Sequence, residues 1–518
     1  MSTPPGDPAV DLVAAGAAWS ASAEMRPVEA MMWRAEADPR LRSTITTVEI
    51  LDCVPDWERL LAAHDWASRI VPRFRQRVVE PPFGLGSPTW VTDAEVDFAY
   101  HMNHIRLSGA GTIQQLLGEA QSMAMRPFDR ARPLWEAALV EGLEGGRAGY
   151  ILKSHHSVTD GIGGMQIMGL LHSRTREPMV GRAEPAAPPS TARGSLEVLA
   201  EQTVRRIRNA PSEALSRTGS ALGLAGRIVR RPDRAMADAA HFAGSLGRVA
   251  SPPAGEPSPL LRERGLGWRF EVLEVPLADL KAAGKAGGGS LNDAYLAAVL
   301  GGFRRYHEQF GVRIETMPMG IPISLRGAGD SLGGNHFAGA RFAAPVGEPD
   351  PRKRMHQIRE FVLTTRDEPA IDATGLLAPV LSRLPAPVLA RISGSITSAN
   401  DVQASNVPGI PWPVYLAGAQ ITRMYPFGPL PGCAAMITLI SHNGTCCIGM
   451  NLDATAVRDT TLLRECMEEG FREVLALSRA RSEALRATLT HAPPSCNSNS
   501  SADRPVLVRA TVEQINTA

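Results

Sequence analysis

Between Asp401 and Asp453 the chain carries a single ionised residue, Arg423. A stretch so poor in charge would leave a large apolar patch if it lay against water. It cannot cross a membrane as a helix, because Pro408, Pro411, Pro413, Pro426, Pro429 and Pro431 interrupt it. Each proline removes a backbone donor and clashes with the preceding turn. Strands and turns buried inside the protein are the remaining solution. No uninterrupted apolar run elsewhere reaches the length of a membrane span.

The rest of the pattern alternates between helix and strand. Helical spacing runs over Val28 to Arg34, Trp57 to Val71, Thr112 to Met125, Ile162 to His172, Ser290 to Glu308 and Asp459 to Leu477. Strand character falls on Thr44 to Leu51, Val91 to Asp93, Asn103 to Leu107, Trp135 to Glu141, Gly149 to Ser154, Arg269 to Val275 and Thr316 to Leu325. The 518 residues exceed one ordinary domain. Composition breaks at the Pro/Ala-rich Glu184 to Ser190 and the Pro/Gly/Ser-rich Ser251 to Pro259 divide the chain. We expect a flexible extension over 1–24, an α/β block over 25–182, an Arg/Ala-rich helical linker over 183–262, a second α/β block over 263–480 and a disordered tail over 481–518.

Charge excludes one class of partner. With 54 basic and 53 acidic residues the net charge is +1, so there is no global basic field for nucleic acid. The exception is local. Thr191 to Ala250 holds ten arginines, no lysine and five acids, a net charge of +5. Leu196, Ala200, Val204 and Ile207 fall on one helical face there. That face either packs across a domain boundary or lies on anionic lipid. The six cysteines include no C-x-x-C pair and read as reduced thiols of a cytoplasmic protein. Met1 to Glu24 lacks the basic start of a secretion signal.

The sharpest chemical signal is His155-His156-Ser157-Val158-Thr159-Asp160-Gly161, set between a strand and a helix. An imidazole at a strand end sits where clefts form, and its ordinary pKa suits proton transfer near neutrality. Asp160 can lock the turn by capping or ion pairing, and Gly161 offers backbone freedom. Neighbouring histidines on an extended chain point apart, and no third ligand is near, so a metal site is not indicated.

His-His-x-x-x-Asp-Gly resembles the active-site motif of the bacterial wax ester synthase/acyl-CoA:diacylglycerol acyltransferase family, relatives of chloramphenicol acetyltransferase and peptide-synthetase condensation domains. Other blocks are similar and in family order from about Met25 to Leu477: the Arg-rich strand at Arg73 to Arg77, Arg132-Pro133-Leu134-Trp135-Glu136, Ser290-Leu291-Asn292-Asp293-Ala294, Pro322 to Arg326 with Gly334-Asn335, and Ser405-Asn406-Val407-Pro408-Gly409. The resemblance implies an α/β (α+β) fold of two chloramphenicol-acetyltransferase-like domains, each a mixed sheet flanked by helices, with an active-site channel between them. It implies His156 as general base, His155 orienting the loop or touching substrate, and Asp160 as support. Gly161, Asn292, Asp293, Ser405 and Asn406 would bind substrate or brace the site, although Asn292 at a helix start also fits a cap.

The implied reaction moves a long acyl chain from acyl-CoA to a lipid alcohol, with no further cofactor and no metal. Diacylglycerol is the first acceptor and a fatty alcohol the second. A polyketide or glycolipid alcohol, or non-catalytic lipid binding, are the alternatives. The partner surface would be the inner membrane face or a lipid inclusion, reached from the cytoplasm. Gly329-Asp330-Ser331-Leu332-Gly333 fits the hydrolase nucleophile elbow, but glycines flank it where a strand and a helix are needed. Two departures from the family pattern, Met25 to Glu29 at the start and Ser441-His442-Asn443, bear on substrate rather than on the base.

Overall fold

The computed structural model describes residues 22–93, 96–178, 184–191, 193–210, 255–324, 337–366 and 373–490. Expectations for the N-terminal extension up to residue 21, the arginine-rich residues 211–250, the Ser331 loop, Arg326, Asn335 and the tail from Ala492 fall outside these. Fifteen strands are described: β1 (Thr44–Leu51), β2 (Gln76–Val79), β3 (Thr89–Thr92), β4 (Met102–Arg106), β5 (Trp135–Glu141), β6 (Ala148–His155), β7 (His172–Ser173), β8 (Trp268–Pro276), β9 (Met317–Ser324), β10 (Phe337–Ala344), β11 (Val402–Val407), β12 (Tyr415–Leu416), β13 (Ala419–Phe427), β14 (Ala435–His442) and β15 (Thr445–Asp453).

They form two mixed sheets and a hairpin. The first sheet runs β4-β5-β6-β1-β13-β12-β7, the second β10-β9-β11-β14-β15-β8, and β2 pairs with β3. The charge-poor stretch is strands β11 to β15, as its composition demands. It does not stay in one sheet. β13 pairs antiparallel with β1, so the C-terminal block completes the N-terminal sheet. Residues up to Ser478 cluster as one compact unit. The residues from Arg479 onward form another, described only as far as the helical 479–490.

Among the described residues three large apolar cores follow from the alternation of the strands, beside two small clusters. One face of the first sheet buries Leu51, Tyr150 and Leu152 under helices Trp57–Ile70 and Gly161–Leu171. The second sheet buries its own set beneath the nearly all-buried helix Leu291–Gln309. Between the sheets, Val48 and Ile151 of the first meet Phe270 and Cys447 of the second, and the Phe270 and Phe427 rings stack 3.9 Å apart. The approach is so close at Gly449 that an added Cβ would lie 1.9 Å from the Pro426 carbonyl oxygen, so only glycine fits.

Two sequence expectations change. Arg73 to Arg75 belong to a 3-10 turn, Pro72–Arg75, and β2 begins at Gln76, because Pro72 opens a helical turn more readily than a strand. Within 195–210 it is Val198 and Gln202 that are buried, whereas Leu196, Val204 and Ile207 are 74%, 64% and 70% exposed. The apolar face therefore points away from the protein.

Candidate active site

The motif turn is built on β6 and held by β1. Thr44 lies opposite His155 across the β1–β6 ladder. One residue further out, the His156 N–H donates to the Ser43 carbonyl at 2.7 Å. The His155 N–H donates to the Leu134 carbonyl at 3.0 Å, so the Pro-Leu-Trp segment braces the same turn. Trp135 itself is fully buried, and its indole donates to the Phe74 carbonyl at 2.9 Å.

The two histidines point apart, as an extended backbone requires. His155 is fully buried. Its Nδ1 accepts the Ser157 N–H at 3.0 Å, with the Ser157 hydroxyl at 2.6 Å. A backbone N–H can only donate, so the imidazole proton sits on Nε2, which faces Glu36 Oε1 at 3.1 Å. The approach is off the ideal hydrogen-bond direction, so this is a polar contact rather than a hydrogen bond. Trp33 and Phe128 close the sides edge-on, at 5.9 and 6.0 Å. Burial pushes the Glu36 carboxyl up, but His155, the Ser43 N–H and Arg130 outweigh it and hold the group below the usual carboxylate value. His155 is thus a structural post inside the protein, and His156 is the half-buried one of the pair.

Asp160 caps helix Gly161–Leu171, its carboxylate accepting the Gly163 N–H at 2.9 Å. Gly161 is not needed for a left-handed backbone. It is needed because a Cβ there would come within 2.9 Å of Val407 Cγ2. That contact brings the end of β11, from the second sheet, against the start of the motif helix.

β11 carries two more of the expected residues. Alternation puts Ser405 on the Val407 side, toward the motif, and Asn406 on the opposite side. There the Asn406 amide approaches Asn292 Oδ1 at 3.5 Å. Asn292 is not the helix cap. Ser290 is, donated to by the Asp293 N–H at 3.2 Å, while Asp293 accepts from the Ser290 N–H at 2.7 Å. Asp293 is buried and also pairs with Arg359 at 3.3 Å, so it serves the fold rather than a substrate. Sequence reading missed Glu36, Ser43 and Trp33, because nothing local marks residues that act across a sheet. Among the described residues no group of three or more His, Cys, Asp or Glu is placed to hold a metal ion.

Residues 19–295 match the wax ester synthase/diacylglycerol acyltransferase catalytic domain, and residues 333–474 match the C-terminal domain of the same family. The chain belongs to this family. It is an acyltransferase of that type. A Mycobacterium tuberculosis (strain H37Rv) relative, provisionally described as a diacylglycerol O-acyltransferase, is 44% identical over 463 residues, covering 88% of this chain and 92% of the relative. The solved wax ester synthase/diacylglycerol acyltransferase from Marinobacter aquaeolei VT8 shares the fold at TM-score 0.59 and 19% identity, covering 88% of this chain and 99% of that one. The first condensation domain of the calcium-dependent antibiotic synthetase does so at TM-score 0.55 and 20% identity, covering 89% and 96%.

Proposed function

We propose that the protein transfers a long-chain acyl group from acyl-CoA to a lipid alcohol, with diacylglycerol the preferred acceptor and a fatty alcohol the second. The observation that carries this reading is the half-buried His156 on a turn pinned at both ends, by the Ser43 carbonyl and by the Asp160 cap. A base in that position removes the alcohol proton as the oxygen attacks the thioester carbonyl. A tetrahedral oxyanion forms, the C–S bond breaks, and the proton on His156 passes to the departing thiolate. The products are an ester and CoA, and no covalent enzyme intermediate is needed. Ser405, on the Val407 side of β11, would donate to the oxyanion, together with backbone amides. The acyl chain and the alcohol would meet at the motif turn, and the protein would work on the cytoplasmic face of a membrane or on a lipid inclusion.

The test is release of free CoA from palmitoyl-CoA with dioleoylglycerol, hexadecanol or no acceptor. Dioleoylglycerol should give the fastest release. No alcohol-dependent release by wild type with any of these acceptors would sink the reading in favour of lipid binding without transfer.

A further inference from the structure

Arg34 joins three segments that are far apart in sequence. It is 4% exposed. Its guanidinium pairs with Glu80, donates to the Gly86 carbonyl at 2.7 Å, and donates to the Ser382 carbonyl. Gly86 closes the loop whose tip is Phe83. Ser382 lies between helices Ala373–Leu381 and Ala386–Thr397. The same loop is tied on its far side to helix 195–210, where Gln202 accepts the Ser87 N–H at 3.1 Å and donates to the Ser87 carbonyl at 2.7 Å.

Each of these elements presents apolar side chains to solvent. Phe83 is 96% exposed and Leu85 60%; Leu377 is 47% and Val380 64%; Val204 is 64% and Ile207 70%. Phe83 is held at φ 56°, a left-handed torsion that a bulky aromatic disfavours. The chain thus adopts an unfavourable backbone conformation to put a phenyl ring into water, and such outliers cluster at functional surfaces. Arginines accompany these tips, with the exposed acids Glu197 and Glu201 beside them on helix 195–210. Residues 373–397 include Arg383 and Arg391 and no acid, and Arg206 and Arg208 are exposed on helix 195–210. Apolar tips ringed by arginine are the pattern of a surface that lies on anionic lipid. The surface is also connected to the site. Helix Pro27–Ala35 carries both Arg34 and Trp33, and the Trp33 ring lies edge-on against His155.

We propose that the Phe83 loop, the helix pair 373–397 and the helix 195–210 form one surface that docks on an anionic lipid layer, with Arg34 setting their alignment. This rests on the reading of the acceptor as a lipid alcohol, which must be drawn from such a layer. The experiment is co-sedimentation with phosphatidylcholine vesicles with and without phosphatidylglycerol, alongside CoA release. The variants are Phe83→Gly, which also relieves the left-handed torsion, and Phe83→Ser/Leu85→Ser/Val380→Ser.

Wild type should bind the phosphatidylglycerol vesicles, and less so as salt rises. The triple variant should bind about tenfold more weakly, since three apolar side chains lose their burial. Phe83→Gly should bind more weakly while melting no lower than wild type. CoA release with water-soluble hexanol should be unchanged in both variants, whereas release with vesicle-borne dioleoylglycerol should fall with binding. Wild-type vesicle binding by the triple variant overturns the proposal. So does an equal loss on hexanol, which would put these residues in the site, or self-association of wild type that the triple variant loses with vesicle binding unaltered, which would make a second copy the occupant. If wild type binds vesicles but releases no CoA with any alcohol, the surface stands and the acyl-transfer reading fails.

Discussion

Two turns in this protein start a helix in the same way and are held in opposite ways. The turn before helix Leu291–Gln309 closes on itself: Ser290 caps, Asp293 returns the bond, and both partners lie within one helical turn. The turn before helix Gly161–Leu171 has one local cap, Asp160. Its other polar groups are met partly within the turn, by Ser157, and partly from afar, by Ser43, Leu134 and Glu36. A self-contained capping box makes a rigid wall. A turn whose groups are satisfied in part by distant segments holds its second imidazole, His156, half-buried beside the fully buried His155. The difference is one of dependence, so substitutions at the two turns should separate activity from stability.

The largest effect should come from His156→Ala. Turnover by CoA release should fall ~100- to 10,000-fold, the range for one positioned base, with the melting temperature little changed. Wild-type turnover in that variant would remove the contrast between the turns. His155→Ala should act mainly on stability. It empties a fully buried site lined by Trp33 and Phe128, and such a large-to-small change costs about 3 kcal/mol, readable by urea denaturation.

Asp160→Ala should cost about 1 kcal/mol through the lost cap, with Asp160→Asn restoring most of it because an amide oxygen still accepts. Equal losses in the two variants would mean that the charge, not the cap, is what the turn needs. The acid limb of stability offers a narrower test. The Glu36 carboxyl is held below its ordinary value of 4.5, so the stability it contributes is complete above that value and is lost as the pH falls through the lower folded value. Glu36→Gln should flatten this acid loss while leaving the dependence near neutrality as it was, measured by urea midpoints between pH 3 and pH 7. The smallest effect belongs to the other turn. A double-mutant cycle of Asn292→Ala and Asn406→Ala should give a coupling of about 0.5 kcal/mol, because the bond between them is long. A coupling several times larger would make this pair part of the machinery rather than of the wall.

The legible parts of the molecule are those whose physics is local. β1 and β5 stand where alternation puts them, and the charge-poor stretch folds into five strands because its composition leaves no other place than the interior. The helix begins where its spacing starts, after Ser290, although the capping box that Ser290 makes with Asp293 emerges only in the structure. The His155 to Gly161 run is visible because strand, imidazoles, cap and glycine are adjacent in the chain. Local reading went astray where two roles look alike. Asn292 has the chemistry of a cap, yet it bonds across to β11, since Ser290 already fills the cap position. Gly161 reads as torsional freedom and is instead room for Val407.

By itself, then, the amino-acid order determined many of the elements and the turn that carries the histidine motif, because periodicity and capping act over a few residues. Tertiary structure alone decided that β13 crosses into the first sheet and that His155 rather than His156 is the buried member of the pair. It also decided that Leu196, Val204 and Ile207 face outward. Each of those outcomes depends on which distant backbone satisfies a hydrogen bond or excludes water. That is settled only when the two sheets pack together and strands far apart in the chain become neighbours.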